Sequence, residues 1–249
     1  MIQRMLTSAL VAGGVAGLFA ALLHFAFIQD KILLAEQYEA GALVHFTGAA
    51  AAARSDDHRT AVPAPAPTAV AAEPGDPEPA APDIKRNALT VLAAVLVYVA
   101  YALILVAGFA VASLYRRRIT AREGALWGIA GFAAFQMAPA MGLAPELPGT
   151  LAADLASRQL WWWGTVAATA GGLALIGFGR GLAMAALALV LLAAPHLIGA
   201  PELESFFGVA PPELAAGFVA SVLGVGLAGW TMMGALAGRL WSRSDPAAA

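Results

Sequence analysis

Histidine and glutamate side chains near one end of the apolar segments are the residues best suited to chemistry in this chain. His24 lies about one helical turn before the end of the first apolar segment, and His196 lies near the end of a later one. Imidazole together with carboxylate suits divalent first-row metals such as cobalt, nickel or zinc. The predicted ligands are His24, Glu36, Glu39, His45, His196 and Glu202.

A simpler interpretation of these side chains stays open. Their spacing matches no recognised metal-binding motif, and a single histidine near a helix end often serves as a hydrogen-bonding group at the membrane interface. Ionisable groups within membrane segments are nevertheless rare and costly, so each of them is a functional candidate. Gln136, Met137 and Met141 lie on another apolar segment, at about the same distance from its outer end as His24 and His196 on theirs.

Enzymatic motifs are missing from the sequence. It holds no Gly-rich phosphate loop, no His-Glu-x-x-His pair, no nucleophile elbow and no cysteine. The net charge of −2 gives no reason to expect nucleic acid as a partner. We therefore predict that the protein is not an enzyme, requires no cofactor and cannot by itself couple to ATP. An integral-membrane enzyme would need close acid–base or nucleophile–base pairs, which the spacing does not provide.

Six long apolar runs are the elements that must position the candidate ligands. Hydrophobic residues make up 60% of the 249 residues and charged residues 12%, whereas soluble domains carry about 25% charged residues. Long apolar runs without alternation indicate helices, because only helices and closed barrels satisfy their backbone in lipid. We predict an all-α polytopic membrane protein with six transmembrane helices in three hairpins. The predicted spans are about Met5–Ile28, Ala88–Tyr115, Arg122–Leu143, Gln159–Phe178, Gly181–Ile198 and Leu214–Leu240.

Basic residues predict how these spans are oriented. Arginines are enriched at the ends that an arrangement with a cytoplasmic N-terminus places inside, as cytoplasmic loops require. These are Arg4, Arg116, Arg117, Arg118, Arg122, Arg180, Arg239 and Arg243. The same arrangement places 14 of the 16 carboxylates outside, because only Glu123 and Asp245 fall inside. We predict a multi-pass protein of the bacterial inner membrane with both termini in the cytoplasm and a negative outer face.

The chain divides into three predicted regions. Residues 1–29 form the first span, which is too long for a signal-peptide core and is predicted to be retained. Residues 30–87 form an outer loop, and its stretch 61–82, rich in Pro and Ala, is predicted to be disordered. Residues 88–249 form the membrane domain with the remaining five spans.

An internal repeat is predicted within the membrane domain. Residues 138–147 align without a gap with residues 194–203, an offset of 56, and both copies contain Ala-Pro-Glu-Leu. The repeat units would be about 122–178 and 179–240, related by an axis along the membrane normal. Pro139 and Pro195 lack an amide proton and disturb the preceding turn, so irregular backbone is expected at one depth.

Paired glycines and tryptophans carry two further structural predictions. Glycines four residues apart let helices approach closely and are read as packing positions. These are Gly13 with Gly17, Gly124 with Gly128, and Gly234 with Gly238. The tryptophans are predicted to anchor the interfaces, with residues 161–163 at the outer one and Trp127 and Trp241 near the inner one.

Several segments together resemble the cobalt transporter subunit CbtA family of bacterial membrane proteins. They are residues 29–39, 126–133, 144–149, 158–162 and 195–201. The resemblance implies cobalt uptake that supports cobalamin synthesis, together with a small single-span partner subunit, CbtB. Family members often carry a histidine-rich stretch in the first outer loop, where this chain keeps only His45 and His58. The departure shifts the expected metal site to His24 and His196.

Two functions therefore compete. The first is a divalent-metal permease or its membrane subunit, with cobalt as the expected cargo and nickel as an alternative. The second is a non-transporting structural or assembly subunit that organises a partner protein. The expected partners are the CbtB-type subunit, the lipid bilayer and the metal ion, and a homo-oligomer stays open. A cluster of histidine and carboxylate groups facing a cavity would favour the first function.

Overall fold

Long apolar runs fold into helices throughout the part of the chain that the computed structural model describes, residues 2–45, 83–115, 118–203 and 208–243. Within those ranges, β pairing is limited to one isolated bridge between Thr150 and Gly208. The helices are α1 (Ile2–Phe27), α2 (Gln29–Glu39), α3 (Ile84–Leu114), α4 (Ala121–Phe132), α5 (Leu155–Phe178), α6 (Leu182–Ile198) and α7 (Pro212–Arg243). The predicted disordered stretch 61–82 lies outside the described residues.

Four of these helices are long and apolar enough to cross a membrane: α1, α3, α5 and α7. Helix α6 is apolar but has only 17 residues. Helix α4 continues without a gap through a π-helical turn, Ala133–Met137, and a last short piece, Ala138–Ala140. The all-helical membrane fold is therefore confirmed, whereas the count of six spans stays a prediction.

Neighbouring helices run antiparallel, which gives the bundle two chemically different ends. Gly13 of α1 lies beside Val99 of α3, and Gly17 lies beside Val95. We call the end where α1 finishes and α3 begins the carboxylate end, and the opposite end the arginine end. The carboxylate end carries Glu36, Glu39, Glu146 and Glu202, and the arginine end carries Arg118, Arg122, Arg180, Arg239 and Arg243.

The main core lies between α1, α3, α4 and α7. Small residues of α1, such as Ala12 and Ala16, are fully buried against larger side chains, which include Phe109 and Met233. Trp241 is also part of this core, with 3% of its surface exposed, and its ring lies 6.1 Å from that of Phe109. Trp241 therefore fills the space between α3 and α7 and does not face the lipid headgroups as an anchor would, while its predicted depth near the inner interface stays a prediction.

The predicted glycine packing positions are confirmed where α1 crosses α3. A methyl group added to Gly13 would lie 2.5 Å from Val99 Cα, and one added to Gly17 would lie 2.5 Å from Val95 Cα. On α4, Gly124 and Gly128 lie directly against the backbone of Gly234 and neighbouring residues on α7. Glycine is required at these crossings because the opposing atoms are backbone and cannot swing aside.

Helix α2 lies over the carboxylate end instead of prolonging α1. The α1 helix ends at Phe27, Ile28 forms the junction, and α2 then packs onto α7. A second small core holds α2 in place. It is formed by Ile28, Ala35, Leu147 and Phe218.

The two predicted proline positions differ in their local backbone. A π-helical turn precedes Pro139 and includes Phe135, the residue whose carbonyl the proline ring displaces. Pro195 instead lies inside α6, which continues as an α-helix to Ile198. The repeat with its parallel arrangement stays a prediction.

Candidate metal site

Two of the predicted ligands, His24 and Glu36, each interact with Arg86 at the carboxylate end. His24 is half-buried in the last turn of α1, and its carbonyl oxygen accepts a hydrogen bond from Ile28 N at 2.9 Å. Arg86, in the first turn of α3, is near enough to act electrostatically on the imidazole. The positive charge of Arg86 would therefore oppose a metal ion bound at His24.

Glu36 is already engaged by that cation. Arg86 Nη1 donates to Glu36 Oε2 at 2.9 Å, and Nη2 donates to Oε1 at 2.8 Å, so both carboxylate oxygens accept bonds. About two fifths of each side chain is exposed, at 36% and 39%. A two-point pair of this kind fixes the geometry of α2 against α3, although an exposed pair stabilises by only about 0–1 kcal/mol.

The remaining predicted ligands lie in separate places. Glu39 is exposed and packs against Gly149, which has a φ of +77°, while His45 is exposed at the end of the first described range. His196 is half-buried on α6, where its ring meets that of Trp161 edge-on at 6.3 Å. Glu202 is exposed in the connection that follows α6.

Among the described residues, no three histidine or carboxylate groups come together closely enough to hold one metal ion. Neighbouring carboxylates have protein partners instead. Glu146 pairs with Arg158 at 2.8 Å. Asp154 caps α5 by accepting a hydrogen bond from Ser157 N at 2.9 Å, which holds the pKa of its carboxyl below the ordinary value. The ligand set His24, Glu36, Glu39, His45, His196 and Glu202 therefore stays a prediction.

A second polar group of residues lies in the middle of the bundle. Gln136 lies on the π-helical turn, and its Oε1 atom packs against Gly226 of α7. The Tyr98 hydroxyl packs against Gly229, one turn further along α7. Gln136 Oε1, Thr169 Oγ1 and Trp230 Nε1 are buried and have no hydrogen-bond partner among the described residues. Unpaired buried polar atoms are costly in a membrane, which makes these residues candidates for function.

Aromatic rings form a layer next to Gln136 in the bundle. Tyr101 lies 4.5 Å from Trp230, and Phe135 stacks on Trp230 at 5.7 Å. Trp162 of α5 adds an edge contact to Phe135 at 6.1 Å. The rings connect α3, α4, α5 and α7 in one layer, so the predicted anchor Trp162 also contributes to the interior.

The family described as "Probable cobalt transporter subunit (CbtA)" matches residues 2–242. The chain belongs to the CbtA family. No curated protein and no solved structure matches it.

All six predicted ligands of this CbtA-family chain fall within the matched range. The mid-bundle residues Tyr98, Gln136 and Trp230 also fall within it. Of these, the sequence singled out only Gln136, through its height on the helix. Tyr98 and Trp230 sit in apolar runs whose pattern gives no sign of which face turns inward, so the sequence carried no signal for them.

Proposed function

We propose that this CbtA-family chain is the membrane subunit of a cobalt uptake system in the bacterial inner membrane, which supports cobalamin synthesis. The match of residues 2–242 to a family described as a probable cobalt transporter subunit carries the proposal. In this arrangement the chain crosses the membrane six times, with α4 and α6 as the two shorter spans. Both termini lie in the cytoplasm, and the carboxylate end faces outward.

The charges of the carboxylate end support a role in attracting a cation. A surface rich in one sign of charge raises the local concentration of the opposite ion. His24 supplies an imidazole at the depth where α1 enters this surface, and Glu36 supplies a carboxylate that would have to leave Arg86 to reach a metal ion. His196 on α6 would supply the second imidazole.

The membrane potential is a sufficient driving force for inward movement of a divalent cation. One charge that crosses the membrane gains roughly 2.3 kcal/mol per 100 mV, so a divalent ion gains about 4.6 kcal/mol. Uptake down this potential requires no ATP. The sequence, which lacks a phosphate-binding loop, is consistent with such a mechanism.

A second candidate function is a non-transporting subunit that organises a partner. One observation favours it: within the described ranges no complete set of metal ligands converges. A partner subunit, with CbtB as the family's expected one, would then supply the missing ligands. The description of the family as a subunit fits either function.

Radioactive cobalt uptake into proteoliposomes under an inside-negative potential distinguishes the two. For transport through this chain, the purified chain alone moves cobalt, and His24→Ala or His196→Ala lowers initial uptake at limiting cobalt by at least about tenfold. Loss of a residue that hydrogen-bonds to a metal ligand already weakens metal affinity roughly 10- to 100-fold. Loss of the ligand itself should weaken metal affinity at least as much.

Leu22→Ala is the matched control for His24→Ala, because Leu22 is an exposed residue of the same helix turn. It should leave uptake unchanged. Uptake only when a CbtB-type protein is added would assign the organising role to this chain. Unaltered uptake in both histidine variants would show that the predicted imidazoles are not ligands, whereas no uptake under any condition would contradict cobalt transport itself.

A further inference from the structure

A deep groove lies on the side of the bundle, away from the candidate metal residues. Its volume is about 800 Å³, and it lies between α3, α4 and α5. Helices α3 and α5 are not packed against one another along the groove. At the arginine end, the ring centres of Tyr115 and Phe178 are 6.2 Å apart. The α5–α6 hairpin thus packs on the rest of the bundle through α4 and its π-helical continuation, and the groove lies where α3 and α5 do not meet.

Polarity is confined to the mouth of the groove. Arg118 and Glu123 line it at the arginine end, and the remaining lining is apolar or glycine as far as the rings of Phe135 and Trp230. A charged mouth and an apolar interior match an amphiphile in which one end is charged. An aqueous path for a metal ion would instead require polar groups along its length.

The length of the groove corresponds to one leaflet of a bilayer. Glu123 lines the mouth, and Phe135, twelve residues later on the π-helical turn that continues α4, lines the deep end. At 1.5 Å per residue this is roughly 18 Å. Half of the hydrocarbon core of a bilayer is about 15 Å thick, so an acyl chain that starts at the arginine end would reach the aromatic layer.

The mouth favours a negatively charged headgroup. The Arg118 guanidinium is exposed and makes no ion pair or side-chain hydrogen bond with any other residue that the structure describes. The Glu123 carboxylate faces its own helix terminus, where it accepts hydrogen bonds from the backbone N–H and hydroxyl of Thr120. Arg116 and Arg117 precede Arg118 in the sequence and add positive charge to this segment.

We propose that this groove binds an anionic phospholipid from the leaflet at the arginine end. One acyl chain lies between α3 and α5, and Arg118 holds the phosphate. Arginine suits a phosphate because its planar guanidinium can donate two parallel hydrogen bonds. Basic pockets between membrane helices are a known way to bind acidic lipid headgroups. The bound lipid fills the space where α3 and α5 do not meet.

Native mass spectrometry of the full chain in detergent, titrated with phosphatidylglycerol or phosphatidylcholine of equal chain length, tests the headgroup. The wild type should retain phosphatidylglycerol roughly fivefold better, because one arginine near a membrane surface contributes about 1 kcal/mol. Arg118→Gln should abolish this preference. Arg239→Gln, an equal change of charge at the same end on α7, should preserve it.

A second pair of variants tests the acyl chain. An added side chain at Gly177, which lines the groove, or at Gly164, on the same helix outside it, would start in open space. Gly177→Leu should remove one retained lipid of either class, and Gly164→Leu should not. Equal behaviour of the two leucine variants, or of the two glutamine variants, would overturn the proposal. Lipid-free dimers would also overturn it, in favour of a second copy in the groove.

Discussion

The ion pair between Arg86 and Glu36 determines whether the candidate site can bind a metal ion. The two-point pair ties α2 to α3, and the same guanidinium acts on His24. A metal ion bound by His24 and Glu36 would have to displace this positive charge or tolerate it. Arg86 therefore competes with a metal ion, because it already binds one predicted ligand, Glu36, and its charge acts on a second, His24.

Removal of this competitor should strengthen metal binding. We expect Arg86→Gln to bind cobalt roughly 30-fold more tightly in equilibrium dialysis, because a divalent ion about 4 Å from a unit positive charge in water is repelled by about 2 kcal/mol. Arg158→Gln is the matched control, since it breaks the pair with Glu146 instead. If the two variants bind cobalt equally, His24 and Glu36 do not form a shared metal site.

At the scale of the elements, glycine crossings set the positions of the helices. The α1–α3 crossing brings backbone against backbone at Gly13 and Gly17, and the α4–α7 crossing does so at Gly124 and Gly128. At these crossings the helices contact one another through their backbones and not through large side chains, as is common between membrane helices. Glycines of α7 also leave room for polar side chains: the Tyr98 hydroxyl contacts Gly229, and Gln136 Oε1 contacts Gly226.

A larger residue at one crossing should weaken the bundle. Gly17→Val places side-chain atoms where Val95 Cα and the Ala94 carbonyl already lie, so the helices must separate. We expect a loss of about 1–3 kcal/mol in unfolding free energy, measured by detergent titration in mixed micelles.

Gly14→Val is the control for this change, because an added Cβ at Gly14 meets nothing within 4 Å. It adds the same side chain to the same helix turn and should have a much smaller effect. Equal losses in both variants would mean that the intrinsic helix preference of valine, and not the crossing, determines the result.

At the scale of the whole molecule, charge separates the two ends of the bundle. Acidic groups and the candidate metal residues lie at the carboxylate end, while Arg118 and the groove mouth lie at the arginine end. The proposed function and the proposed lipid site therefore use opposite faces of the membrane. The proposed function depends on an orientation with the carboxylate end outside.

This orientation can be measured directly, because the chain has no cysteine of its own. A cysteine in place of Glu202 should react with a membrane-impermeant maleimide in intact cells, since Glu202 is exposed at the carboxylate end. A cysteine in place of Arg180, exposed at the arginine end, should react only after lysis. The opposite pattern would reverse the proposed topology.

The helical character of the fold could be predicted from the sequence, because it depends on local properties. A long apolar run must form a helix wherever water is excluded, and a glycine pair allows close approach whatever its partner. The family resemblance was likewise visible in short segments such as residues 126–133, and the match of residues 2–242 confirms it. The candidate ligands followed from residue type alone and remain predictions.

Only the tertiary structure decided which side chains meet. Glu36 and Arg86 are 50 residues apart, so no local pattern links them. Trp241 could be placed at an interface from its position in the sequence, yet it fills the core because of how α7 is rotated against α3. The groove between α3 and α5 likewise depends on how two helices diverge. Sequence periodicity determines the surface of each helix, whereas rotation and crossing determine what that surface contacts.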